Sequence, residues 1–200
     1  MLILETDRLV LRPFTWDDFE FINALHADPE VARYIGYGKP RTAAENRDLL
    51  ENTLKAYSDE RLGHLAVSLK VSGALIGRCG LSLLEVEAKP AGDLPPQWFW
   101  NRGSAPADMT IEHRIEIGYT FARQHWGHGY ATEGAKAIRN FVFQSRREEQ
   151  LVAAISPENT ASINVAKKLG FSFRGPIIAF GKSAEHHQID RVDWGNLSSG

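Results

Sequence analysis

A strand-like run that breaks at a glycine turn and reopens as a helix constrains this chain more than any other feature. Residues 112–121 alternate, with Ile115, Ile117, Tyr119 and Phe121 on one face and Arg114, Glu116, Gly118 and Thr120 on the other. Trp126-Gly127-His128-Gly129-Tyr130-Ala131-Thr132-Glu133 follows. A helical stripe of Ala131, Ala135, Ile138 and Val142 then continues over residues 130–146. Glycines between a strand and a helix let backbone N–H groups approach a ligand and aim the helix N-terminus at it. That arrangement suits phosphate or pyrophosphate.

A chain of 200 residues suits one domain with a proper core. Its net charge of −2 gives no global electrostatic case for nucleic acid or membrane binding. No apolar run approaches the ~20 residues of a membrane span. Residues 1–5 have neither the basic nor the long apolar part of a secretory signal, so a cytoplasmic setting is expected. The single cysteine, Cys79, excludes an intramolecular disulfide and reads as a small core side chain in a strand over 75–84.

The opening reads as a strand at 8–12 stopped by Pro13, then a helix at 16–27 begun by Thr15 and Asp18 and ended at Asp28-Pro29. Thr42 with Glu45 caps a second helix. Residues 64–70 and 75–85 form a hairpin around 71–74. Residues 151–156 are a short buried strand, and 159–169 a helix closed by Gly170. A last strand spans 171–181 with a break at Gly175-Pro176; 183–200 reads as a C-terminal tail, expected to be frayed over 190–200. Residues 86–111 hold no helix or strand period. They carry Pro90, Pro95, Pro96, Pro106 and the cluster Trp98-Phe99-Trp100, and read as an inserted loop. The aromatics suit a substrate lid, a self-association surface that would make a homodimer, or a structural flap.

Four segments together resemble the GNAT N-acetyltransferases, in the branch similar to ribosomal-protein alanine/serine N-terminal acetyltransferases. They are Leu4-Glu5-Thr6-Asp7-Arg8-Leu9-Val10-Leu11-Arg12-Pro13, Glu116-Ile117-Gly118-Tyr119, the run from Trp126 to Glu133, and Asn159-Thr160-Ala161-Ser162-Ile163-Asn164 through Lys168-Leu169-Gly170-Phe171. The resemblance covers roughly residues 4–181. It implies an α/β (α+β) fold: a mixed, twisted sheet splayed in the middle and flanked by helices, in one domain over 1–182 with the insertion at 86–111. It also implies acetyl-CoA as co-substrate and no metal.

The family's acyl-CoA signature, Q/R-x-x-G-x-G/A, falls on Trp126, Gly129 and Ala131, with Trp126 in place of Gln or Arg. A shifted match on Gln124, Gly127 and Gly129 also fits. The first register is preferred because it leaves Gly129 to Ala131 at the helix start. The resemblance then gives the pyrophosphate to Trp126, Gly127, His128, Gly129, Tyr130, Ala131 and Thr132. It gives the pantetheine arm to Tyr119, Thr120, Phe121 and Asn159. His128 is either a phosphate contact or a solvated loop histidine, and Asn159 also suits a helix N-cap. His125 and His128 lack a cysteine or carboxylate at ligand spacing, which argues against a metal.

Acetyl transfer to an amine needs a group to take the amine proton, because an α-amine with a pKa near ~8 is largely protonated at neutral pH. Glu116, on the polar face of the strand before the turn, is the candidate base; the alternative is an ion pair with Arg114. Ser162 is the candidate donor to the departing thiolate, or else a cap of its own helix turn. Arg33, Tyr34 and Tyr37 are candidate contacts for the amine acceptor, a protein N-terminus or a small molecule. Glu133 and Lys136 read as a solvated helix face, and His186 and His187 as exposed tail histidines or acceptor-pocket lining. A catalytically silent acyl-CoA-binding module is the reading from another class. A Rossmann-type nucleotide domain is disfavoured by the absence of G-x-G-x-x-G spacing.

Overall fold

The computed structural model describes residues 2–59, 63–100, 103–145 and 148–198. The chain divides into two units, residues 1–81 with 118–138 and residues 82–117 with 139–200. Strands β4 (Leu75–Glu87) and β6 (Ile111–Phe121) and helix α4 (Tyr130–Ser145) each pass from one unit into the other along the chain.

In the first unit, β1 (Leu4–Glu5), β2 (Leu9–Arg12), β3 (Gly63–Leu69) and the start of β4 pair antiparallel in that order. A 3₁₀ turn at Trp16–Asp18 leads into α1 (Phe19–Ala27), followed by α2 (Pro29–Ala32) and α3 (Ala43–Asp59). The caps are those expected: Thr15 N–H donates to Asp18 at 2.9 Å, and Thr42 N–H to Glu45 at 2.7 Å. Asp28 turns the chain out of α1, and Pro29 stands at the first position of α2, where its missing N–H costs nothing. Phe14, Ile22, Leu50 and Ala66 pack the helices onto the sheet. Cys79 is fully buried, and burial pushes its thiol up to about 12, as a core side chain requires.

The second unit orders its strands as β4, β5 (Gln97–Phe99), β8 (Ser172–Ala179), β9 (Lys182–Asp190), β7 (Gln150–Ile155) and β6. The β5–β8 and β6–β7 pairs are parallel and the others antiparallel. Leu84, Val86, Trp98, Val152, Ile177, Ala179 and Ala184 fill its core. Helix α5 (Thr160–Lys168) ends as expected. Gly170 lies at φ 86°, its N–H donates to Lys167 O, and Phe171 N–H returns to Ala166 O, which closes the last turn.

Two expectations are corrected here. The stretch read as a loop over 86–111 begins inside β4, which runs to Glu87, and contains β5, where Trp98 is buried between β4 and β8. Three residues are too few to show a period, and their partners lie far along the chain. The stretch read as a C-terminal tail is β9 followed by α6 (Arg191–Ser198), a helix where fraying is expected. Arg191 ties α6 down by donating to the carbonyls of Phe143 at 2.5 Å and Glu148 at 2.6 Å. Trp194 Nε1 donates to Asn140 at 3.0 Å.

Candidate active site

In the first unit the glycine turn is built by both glycines and by residues from the start of the chain. Gly127 and Gly129 have φ of 77° and 80°, a left-handed backbone that a Cβ disfavours. The Trp126 indole folds back and donates to Phe121 O at 2.7 Å, which closes the turn onto the end of β6. The first helical bond of α4 runs from Glu133 N–H to Gly129 O. Helix geometry therefore leaves the N–H groups of Tyr130, Ala131 and Thr132 without an acceptor inside the helix.

Arg8 and Glu133, absent from the expected site, hold this turn in place. Glu133 accepts from Thr6 Oγ1 at 2.6 Å, Arg8 N–H at 2.9 Å and Arg8 Nε at 2.6 Å. Burial pushes its carboxyl up, but the bonds from Thr6 and Arg8 outweigh that and hold it below the usual carboxylate range. The Arg8 guanidinium also donates to His128 O at 3.0 Å and lies 4.6 Å over the Tyr130 ring. Glu133 is thus a buttress rather than part of a solvated face, while Lys136 is exposed. His128 stacks on Tyr130 with centroids 5.6 Å apart. Left-handed glycines, open helix N–H groups and a neighbouring guanidinium fit a pyrophosphate.

The end of β6 is packed closely. A Cβ on Gly77 would fall 2.5 Å from Thr120 O, and Ala122 N–H donates to Ile76 O. Thr120 and Phe121 are buried, and Tyr119 is half-buried. Gly118 leaves room for the His64 ring, which would lie 3.0 Å from a Cβ there. His64 and Arg78 are half-buried and interact with the buried His26. His26 meets Asn46 Oδ1 at 3.0 Å, and Asn46 Nδ2 donates to Asn23. Burial, then Arg78, then Arg41 hold His26 down to about 3 against the bond from Asn46. Burial, Arg78 and His26 hold His64 well below its ordinary value. Arg33, Tyr34 and Tyr37 occupy an exposed turn after α2, with the Arg33 guanidinium 5.2 Å over the Tyr34 ring.

In the second unit Glu116 is buried, with 8% exposure. The Trp100 indole donates to its Oε2 at 2.6 Å, and Ala154 N–H reaches its Oε1 at 3.4 Å. Strands β6 and β7 are registered at one pair, Glu116 with Val152. Two residues further along β7, the N–H of Ala154 turns to a side-chain carboxylate. Arg114 pairs with Glu112 at 2.6 Å. Asn159 is the N-cap of α5, and its Oδ1 accepts from Ser162 N–H at 3.1 Å. The cap thus uses the Ser162 backbone and the Asn159 oxygen.

The histidines expected in an exposed tail stand on β9. His187 is buried and meets Glu185 Oε2 at 2.8 Å. His186 is half-buried, its ring 4.7 Å from that of Trp98. Among the described residues no group of three or more His, Cys, Asp or Glu side chains is placed to hold a metal. No helix among them is long and apolar enough to cross a membrane.

Residues 8–172 match the family described as acetyltransferase (GNAT) domain. The chain is 39% identical over 186 residues to the uncharacterized protein YkkB of Bacillus subtilis, covering 90% of each. It is 26% identical over 175 residues to the uncharacterized N-acetyltransferase p20 of Bacillus licheniformis, covering 88% of this chain and 85% of that one. A solved GNAT-family acetyltransferase from Bacillus anthracis superimposes with a TM-score of 0.71 at 23% identity, over 96% of this chain and 99% of that one.

Proposed function

Because the chain belongs to the GNAT family and is an acetyl-CoA-dependent acetyltransferase, we propose that it acetylates a primary amine by direct attack within a ternary complex. The observation that carries this reading is the buried Glu116 carboxylate, oriented by Trp100 on the strand that leads to the glycine turn. The family match spans both units, which supports reading them as one acetyltransferase domain.

Bound acetyl-CoA supplies a thioester carbonyl carbon and a thiolate leaving group. The turn from Trp126 to Thr132 holds the pyrophosphate through backbone N–H groups, with Arg8 supplying a fixed positive charge. Tyr119, Thr120 and Phe121 meet the pantetheine arm through their backbone, and Asn159 meets it through the amide nitrogen that the cap does not use. Glu116 takes the proton of the amine; the N–C bond forms as the C–S bond breaks, and Ser162 donates to the departing sulfur. Arg33, Tyr34 and Tyr37 contact the acceptor. The protein works in the cytoplasm, and its acceptor is a protein N-terminus or a small amine.

Calorimetric titration with acetyl-CoA, succinyl-CoA and free CoA tests the first half of this reading, and thiol release with peptides and amines the second. Micromolar binding with amine-dependent thiol release is expected. Binding without release for any amine would leave a silent acyl-CoA module, and no binding would remove the transferase reading.

A further inference from the structure

The exposed turn after α2 gathers positive charge and aromatic surface in one short stretch. Residues 33–41 read Arg33-Tyr34-Ile35-Gly36-Tyr37-Gly38-Lys39-Pro40-Arg41, with three cations and no acid, in a chain whose net charge is −2. Arg33, Tyr34, Tyr37 and Lys39 are exposed, Tyr37 to 69%. The turn has a fixed shape. Ile35 N–H donates to Ala32 O and Gly38 N–H to Ile35 O, both at 2.9 Å, and Arg41 N–H ties the far end to His26 O of α1 at 3.1 Å. Gly36 and Gly38, at φ 52° and 74°, take the left-handed backbone on either side of Tyr37. The flanking acids are engaged by the backbone. Asp28 accepts from Glu30 N–H at 2.9 Å, and Glu45 accepts from Thr42 N–H and Oγ1 at 2.7 and 2.8 Å. Glu45 also acts on Arg41 through space, and Glu30 stands exposed at the start of α2. Among the described residues, no ion pair holds Lys39 or Arg41.

We propose that this turn is a docking surface for an acidic peptide, so that the acceptor is a protein N-terminus followed by aspartates or glutamates. This rests on the reading under which Arg33, Tyr34 and Tyr37 contact the acceptor. A run of acidic residues is extended and solvated, so its carboxylates reach cations spread along a turn. A small amine with one carboxylate would engage only one of them. Tyr34 and Tyr37 add two rigid amphipathic rings, whose faces cover side-chain methylenes and whose hydroxyls meet peptide groups. Cations around such rings draw in the acidic partner and repel a basic one.

Fluorescence anisotropy on the full chain tests this with three peptides labelled at the C-terminus: Ser-Glu-Glu-Glu-Glu, Ser-Gln-Gln-Gln-Gln and Ser-Lys-Lys-Lys-Lys. An exposed ion pair multiplies affinity by about two- to threefold, so three pairs should favour the glutamate peptide over the glutamine one by about tenfold at low salt. The preference should shrink as salt rises through ~0.1 M, where the Debye length is about 10 Å. Arg33→Gln, Lys39→Gln and Arg41→Gln should each lower the ratio by about two- to threefold, and together bring it close to unity, with acetyl-CoA affinity unchanged. Equal affinities for the glutamate and glutamine peptides overturn the docking surface. So does a preference for the lysine peptide, a ratio that survives the triple substitution, or absence of binding by all three. If the triple variant fails to fold, the wild-type ratio and its salt dependence decide. Thiol release judges the transferase reading separately. A glutamate peptide that binds but is not acetylated, while another amine is, overturns the acidic peptide as acceptor. No release with any amine removes the transferase reading and leaves the docking surface standing.

Discussion

Trp100 donates its indole N–H to the buried carboxylate of Glu116 across 2.6 Å, and its ring stacks on Phe180 with centroids 4.5 Å apart. A side chain from an irregular, aromatic-rich stretch thereby fixes the orientation of the proposed base. Trp100→Phe keeps the stacking and removes the bond. Its expected effect is a fall in kcat of about tenfold, on the scale of one lost hydrogen bond to a charged group, with the KM for acetyl-CoA unchanged. Steady-state kinetics check it; a change confined to acetyl-CoA KM would contradict the positioning role.

Glu116→Gln retains the shape and loses the base. Loss of general base catalysis lowers kcat by about 10²–10⁴-fold, and the acidic limb of the pH–rate curve flattens. An unchanged profile would remove Glu116 from the chemistry.

Glu133→Gln tests the buttress beneath the glycine turn. The charged bonds to Arg8 would go, and with them about 1.5–3 kcal/mol of local support. The KM for acetyl-CoA should rise, and the melting temperature should fall, with little change in acceptor selectivity. Thermal unfolding with and without acetyl-CoA separates the two effects.

Acidification should destabilise the first unit through His26 and His64. His26 titrates near 6.5 when unfolded and at about 3 when folded, and His64 is depressed in the same direction. Between those values the unfolded chain binds more protons, so stability rises with pH across the window, is complete above about 6.5, and is lost as pH falls. The slope approaches about 1.4 kcal/mol per pH unit for each histidine. Urea unfolding from pH 7.5 to pH 5 measures it, and His26→Asn should flatten the curve.

Gly129→Ala places a Cβ on a backbone at φ 80°, at a cost of about 1–2 kcal/mol. The nearest atom to that Cβ is Arg8 Nη2 at 3.5 Å, so the penalty is conformational rather than a clash. Weaker acetyl-CoA binding in calorimetry, with the fold intact by circular dichroism, is the expected result.

Local chemistry made the glycine turn, the caps at Thr15, Thr42 and Asn159, and the Gly170 helix stop legible, because each is decided within a few residues. Contacts that close over long separations were not. Glu133 sits on an ordinary helix face until Thr6 and Arg8 arrive from more than a hundred residues earlier. The signal lies in the opening motif, where Thr6 and Arg8 are polar residues just before a strand of only four residues. Strand β9 hid for a different reason: Glu185, His186, His187 and Gln188 look like surface, yet pairing on both sides puts His187 in the interior. Trp100 stands in the sequence as part of an aromatic cluster, and nothing local ties its N–H to Glu116.

Strand β9 lies between β8 and β7, so two segments made earlier are joined only by one made after both. As the chain emerges from a ribosome, β7 and β8 must wait with open edges until Lys182–Asp190 is available to fill the gap. Assembly of the second unit is therefore gated by synthesis of this late strand. A nascent chain stalled before residue 182 would expose two unsatisfied strand edges to chaperones and to other copies of itself.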